Sequence, residues 1–69
     1  MKRKYLVSYW LQGEPGPNTH EFVVEPTVSD LRLPLELQRL AAEYESKWSD
    51  EGEYLECMIT LINFWEIRL

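Results

Sequence analysis

The segment that decides the fold is Tyr54-Leu-Glu-Cys-Met-Ile-Thr-Leu-Ile-Asn-Phe-Trp-Glu-Ile-Arg-Leu69, the last sixteen residues of the chain. Its alternation and its β-branched and aromatic content predict a strand that is apolar on both faces. Sixteen extended residues would reach about 50 Å, whereas an ordinary strand has about 5–6 residues. We therefore expect either two strands separated by a bend or bulge at Asn63, or one strand whose end reaches a neighbouring chain.

Two further strands are predicted near the start of the chain. Residues 4–12 alternate, and so do residues 20–25. Between them, Gly13-Glu-Pro-Gly-Pro-Asn18 predicts a turn, because glycine accepts positive φ and proline cannot donate to a strand ladder. Strand, short loop and strand together predict a β-hairpin. On the first strand, one face would carry Tyr5, Val7, Tyr9 and Leu11.

A helix is predicted over Pro34–Trp48, because proline is favoured at a first helical position. A separate short turn is expected at Val28–Arg32, which follows the strand-ending Pro26. The apolar residues of the helix recur at i, i+3 and i+4, which defines one buried face. That face would consist of Leu37, Leu40, Ala41, Tyr44 and Trp48.

The resulting order ββαβ predicts a small α+β fold, with one domain over residues 1–69. A right-handed crossover returns the last strand parallel to the second and antiparallel to the first. The expected sheet has three strands in the order 2-1-3, with residues 64–69 as a possible fourth strand. One helix covers only one face of this sheet.

The uncovered face of the sheet is predicted to be an interaction surface. It would carry Leu6, Trp10, Val23, Met58 and Ile62, and Phe64 would join them if no bulge intervenes. A contiguous apolar patch with a polar rim marks an interaction site more often than bare surface. Because a chain of 69 residues buries only about 60% of its unfolded surface, we expect association to stabilise it as a homodimer.

The charge of the chain excludes direct nucleic-acid binding. The formal net charge is −5, and beyond the basic start Lys2-Arg-Lys4 the chain holds four basic and twelve acidic residues. Phosphate-backbone binding needs a basic stripe, which is lacking here. Six carboxylates form an acidic strip that would fit a basic partner, with a solubilising surface as the alternative. They are Glu43, Glu45, Asp50, Glu51, Glu53 and Glu56.

Signs of catalysis are weak, and we predict no enzyme, no cofactor and no metal site. His20 is the only histidine, is expected to be exposed at a strand start, and has no nucleophile signature beside it. Cys57 is the only cysteine, so no disulfide forms, and it is expected to be a small buried hydrophobe. The single cysteine, the lack of a signal peptide and the lack of an apolar run of about 18 residues indicate a cytoplasmic protein.

These observations predict a non-catalytic protein-protein interaction module. One form would be an inhibitor, of the phage or mobile-element type, that blocks a basic, nucleic-acid-handling partner such as a defence complex. The alternative is a structural or assembly subunit whose C-terminal strand completes a neighbour's sheet. The predicted contact residues are the acidic strip together with Trp10, Met58 and Phe64.

Overall fold

The computed structural model describes residues 2–49 and 52–67. Its elements are β1 (Arg3–Leu11), β2 (Pro17–Val24), α1 (Leu33–Trp48), a 3₁₀ turn (Glu56–Met58) and β3 (Ile59–Ile67). The three strands form one sheet in the order β2-β1-β3, and β1 pairs antiparallel with both neighbours. The predicted ββαβ order and the α+β class are confirmed.

The core lies between α1 and one face of the sheet. The alternation of β1 places Tyr5, Val7, Tyr9 and Leu11 in this layer, and all four are buried. Phe22 and Val24 join them from β2, Ile59 from β3, and Leu33, Leu37, Ala41 and Ala42 from the helix. The hairpin register pairs Tyr5 with Phe22 on the core face and Trp10 with Pro17 on the opposite face. Residues that pair across two strands share a face of the sheet.

The helix begins one residue before the predicted start, at Leu33, and ends at Trp48 as predicted. Its buried face is narrower than the sequence pattern suggested. Leu37 is fully buried, but Leu40 and Tyr44 are only partly buried. The prediction that Trp48 belongs to the buried face is wrong: 71% of it is exposed. Its ring meets the Tyr44 ring edge-on at 6.2 Å.

The predicted strand from Tyr54 onward is also wrong in its first five residues. Helix side chains take up backbone groups of this segment, so those groups are not in a strand ladder. Ser46 Oγ accepts a hydrogen bond from Tyr54 N–H at 2.8 Å. Gln38 Nε2 donates to the carbonyls of Glu56 and Ile59, at 2.5 and 2.8 Å. The intervening 3₁₀ turn leaves Cys57 exposed, which corrects its expected burial.

β3 carries a bulge beside Asn63, where the sequence predicted a bend or bulge, but the strand continues through it, so residues 64–67 belong to β3 and not to a fourth strand. Ser8 pairs with Asn63 and Tyr9 pairs with Leu61, so Ile62 is an additional residue opposite β1. The Asn63 side-chain oxygen accepts a hydrogen bond from Phe64 N–H at 2.9 Å. A bulge of one residue reverses which face each later side chain occupies. This reversal decides the composition of both faces of the sheet.

Candidate functional site

The sheet face opposite the helix is formed by side chains in register across three strands. Four rows of residues cross this open face from β2 through β1 to β3. They are Val23–Lys4–Ile67, Glu21–Leu6–Trp65, Thr19–Ser8–Asn63 and Pro17–Trp10–Thr60. The described helix lies on the other face of the sheet, where the core is.

Several large apolar side chains on the open face are about half exposed. Trp10 is 44% exposed, Trp65 47%, Ile62 47% and Val23 51%. Leu6 and Ile67 lie beside them, partly buried. At the register positions of this face, the only charged side chains are Lys4 and Glu21, which form an ion pair at 3.5 Å. The face therefore combines large apolar side chains with a polar row of Thr19, Ser8 and Asn63 and with balanced charges.

Two of the predicted contact residues on this face lie elsewhere. Phe64 pairs with Val7 on the helix side of the sheet, and its ring meets the Tyr5 ring edge-on at 6.2 Å. Met58 lies in the 3₁₀ turn and is partly buried. Trp65, together with Ile67, was missed, although a bulge at Asn63 was expected and would have turned both residues to the open face. Trp10 is on the open face as predicted.

The acidic strip divides into two separate groups. Glu43, Glu53 and Glu56 line a groove of about 710 Å³ between α1 and the segment that follows it. Arg39 and Lys47 line the same groove and offset much of its charge. Asp50 and Glu51 lie outside the described residues.

Arg39 is held in place on the helix surface by two carboxylates. Its Nε donates to Glu36 at 3.1 Å, and its Nη1 donates to Glu43 at 2.6 Å. The hydrogen bond with Glu36 is the main cause that raises the pKa of Arg39, and the charges of Glu36 and Glu43 add to it. Because Glu43 already has this cation as a partner, it attracts an external cation less than its formal charge suggests.

Glu45, the remaining member of the strip, lies apart from the groove. Its carboxylate accepts a hydrogen bond from the hydroxyl of Tyr9, whose residue is fully buried. Burial raises the pKa of Tyr9, and the hydrogen bond and charge of Glu45 raise it further. Glu45 and Tyr9 are among the residues that line a separate pocket of about 340 Å³, the end pocket, at the C-terminal end of α1.

Stacked aromatic rings form one wall of the end pocket. The His20 ring stacks on the Tyr44 ring at 3.8 Å and 22°, and Trp48 continues the group from Tyr44. His20 also meets Phe22 edge-on at 4.9 Å. The expectation that His20 is simply an exposed strand-start residue is wrong, because it lies within β2 and is partly buried by this stacking. This stacking depends on how α1 crosses β2, so no local sequence pattern predicts it.

No group of three His, Cys, Asp or Glu side chains within residues 2–49 and 52–67 is placed to hold a metal ion. In the same part of the chain, no helix combines the length and the apolar character needed to cross a bilayer. Comparison with protein-family models, with curated proteins and with solved structures gave no match.

Proposed function

We propose that this chain is a non-catalytic protein-binding module that self-associates through its open sheet face and binds a basic partner with its helix side. The observation that carries the proposal is the open face itself, where Leu6, Trp10, Ile62 and Trp65 lie without a covering layer. Burying apolar surface contributes about 25 cal/mol per Å². Leaving the exposed parts of these side chains in water is costly unless a second surface covers them.

The charge distribution supports a second copy of the chain as the occupant of this face. The chain as a whole carries −5, so two copies repel one another over most of their surface. The open face is the exception, since Lys4 and Glu21 neutralise one another there. A symmetric dimer places the same patch on both sides. It therefore brings together the surfaces with the least electrostatic repulsion.

The opposite side of the molecule supports a basic partner. Glu43, Glu53 and Glu56 lie along the groove beside α1, and Glu45 lies in the end pocket. Dimerisation through the sheet would leave both sites open. Carboxylates of this kind accelerate encounter and select partners more than they determine affinity. An inhibitor of a nucleic-acid-handling complex is one protein that would use them in this way.

An assembly subunit that completes a neighbour's sheet through β3 is the second candidate. It is favoured by the position of β3, which pairs within the described chain only with β1. Edge strands of this kind accept another strand readily. However, Gln38 occupies the Ile59 carbonyl and Asn63 occupies the Phe64 N–H. These two contacts protect part of the β3 edge. We therefore prefer association through the open face to strand addition at this edge.

The experiment is a pull-down from the native host with the parent chain, a charge-reversed variant and a sheet-face variant, followed by mass spectrometry. Glu53→Lys with Glu56→Lys should abolish capture of a basic protein. Trp10→Ala should weaken self-association, and the resulting monomer should still capture the basic protein. The captured protein must also bind the purified chain, with an affinity that falls as salt rises. Salt-independent binding, or capture that survives charge reversal, would contradict the helix-side assignment.

A further inference from the structure

We propose that the end pocket is a receptor for a single arginine side chain of the basic partner. The pocket has a volume of about 340 Å³ and lies between the hairpin loop, β2 and the end of α1. Its two carboxylates are Glu14 and Glu45, and neither lysine nor arginine lines it among the described residues. This volume is at the lower end of the range for ligand pockets, roughly 300–1,000 Å³, which fits one side chain better than a larger ligand.

Glu45 supplies a carboxylate that is already positioned. The Tyr9 hydroxyl donates a hydrogen bond to Glu45 Oε2, and Tyr9 is itself locked in the core with no exposed surface. The bond fixes the carboxylate before any ligand arrives, which reduces the entropy lost on binding. It uses one oxygen as acceptor and leaves Oε1 for a donor from outside. Ionised groups form the stronger hydrogen bonds.

The aromatic wall supplies the second part of the recognition. Tyr44 is supported by the stacked His20 ring at 3.8 Å, and Trp48 projects from Tyr44 with 71% of its surface exposed. A cation over a tryptophan or tyrosine face is attracted by the ring quadrupole. An exposed indole beside a fixed carboxylate is therefore a site for a cation with a flat apolar face.

Guanidinium fits this description better than ammonium. It is planar, it stacks on aromatic faces while donating in its plane, and it is more weakly hydrated than the ammonium of lysine. The proposal rests on the proposed function in that the partner is basic. The end pocket is a different site from the groove of Glu53 and Glu56. An experiment can therefore contradict the arginine-receptor proposal without contradicting the role of the groove, and the reverse.

The test is a nuclear magnetic resonance titration of the full chain with a blocked Gly-Arg-Gly peptide. The chain has three tryptophans; the indole N–H signal of Trp48 is the reporter, and those of Trp10 and Trp65 are internal controls. We expect the Trp48 signal to shift in a saturable way, with a Kd of about a millimolar, while those of Trp10 and Trp65 stay fixed. Peptides with lysine or with citrulline, the neutral isostere, should bind at least about tenfold more weakly.

The matched variants are Glu45→Gln and Glu53→Gln, which remove the same charge at different sites. Glutamine at position 45 still accepts from Tyr9, so the fold is retained. Affinity for the arginine peptide should fall about tenfold in Glu45→Gln and should stay within about twofold in Glu53→Gln, where screening weakens a distant charge. Equal losses in both variants, equal binding of lysine, or no saturable shift of Trp48 would each overturn the proposal. None of these results would bear on self-association through the sheet.

Discussion

Leu37→Ala tests the placement of the helix on the sheet. Leu37 has no exposed surface and lies in the middle of the core, so truncation leaves a cavity that neighbouring groups fill only in part. The expected cost is about 3–5 kcal/mol. A chain of 69 residues has a total free energy of unfolding of about 3–10 kcal/mol. The variant should therefore be close to the limit of folding.

The comparison variants are Leu40→Ala and Leu35→Ala, which make the same chemical change on the same helix. Leu40 is partly buried, and its truncation should cost about 1–2 kcal/mol. Leu35 is 65% exposed, and its truncation should cost about 0.5 kcal/mol or less. Urea unfolding followed by circular dichroism, at one fixed protein concentration, measures all three. A cost for Leu35→Ala equal to that for Leu37→Ala would mean that the helix packs on the sheet with a different face.

Three further changes test individual contacts. Tyr9→Phe removes the donor to Glu45 and should cost about 1.5–3 kcal/mol. Because the pKa of Tyr9 is raised in the folded protein, the parent should lose stability as pH rises above about 10. Urea unfolding at a series of pH values should show a smaller loss for the variant. Deletion of Ile62 removes the bulged residue and leaves Asn63 opposite Ser8 and Trp65 opposite Leu6 in unbroken alternation, so the sheet should still form, with a loss of about 2 kcal/mol or less; loss of folding would contradict the register. Gln38→Ala should speed amide exchange at the start of β3, and unaltered exchange would show that its two hydrogen bonds are dispensable.

The sequence was sufficient for the order of elements, because hydrophobic periodicity and Gly/Pro punctuation are local signals. Alternation in β1 identified the buried set Tyr5, Val7, Tyr9 and Leu11, all of which lie in the core. Leu33 was assigned outside the helix, although α1 begins there. The difference is a single residue, within the usual uncertainty of helix ends.

The sequence was insufficient wherever a distant side chain competes for the backbone. Residues 54–58 look like strand, but Ser46 and Gln38 of the helix bind the backbone of Tyr54 and Glu56, and residues 56–58 form a 3₁₀ turn instead. The division of the acidic strip has a similar origin. Glu43 and Glu45 are neighbours in sequence, yet a helix places residues two positions apart on different sides. One therefore meets Arg39 and the other meets Tyr9.

The central claim is that the open sheet face binds a second copy of the chain, and light scattering tests it most directly. The parent should have about twice the chain mass of 8.3 kDa at micromolar concentration, and Trp65→Ser should return it to the monomer. Leu31→Ser removes an apolar side chain that is 92% exposed but lies outside the sheet, and it should leave the dimer intact. A monomeric parent at high concentration, or a dimer that survives Trp65→Ser, would contradict the claim.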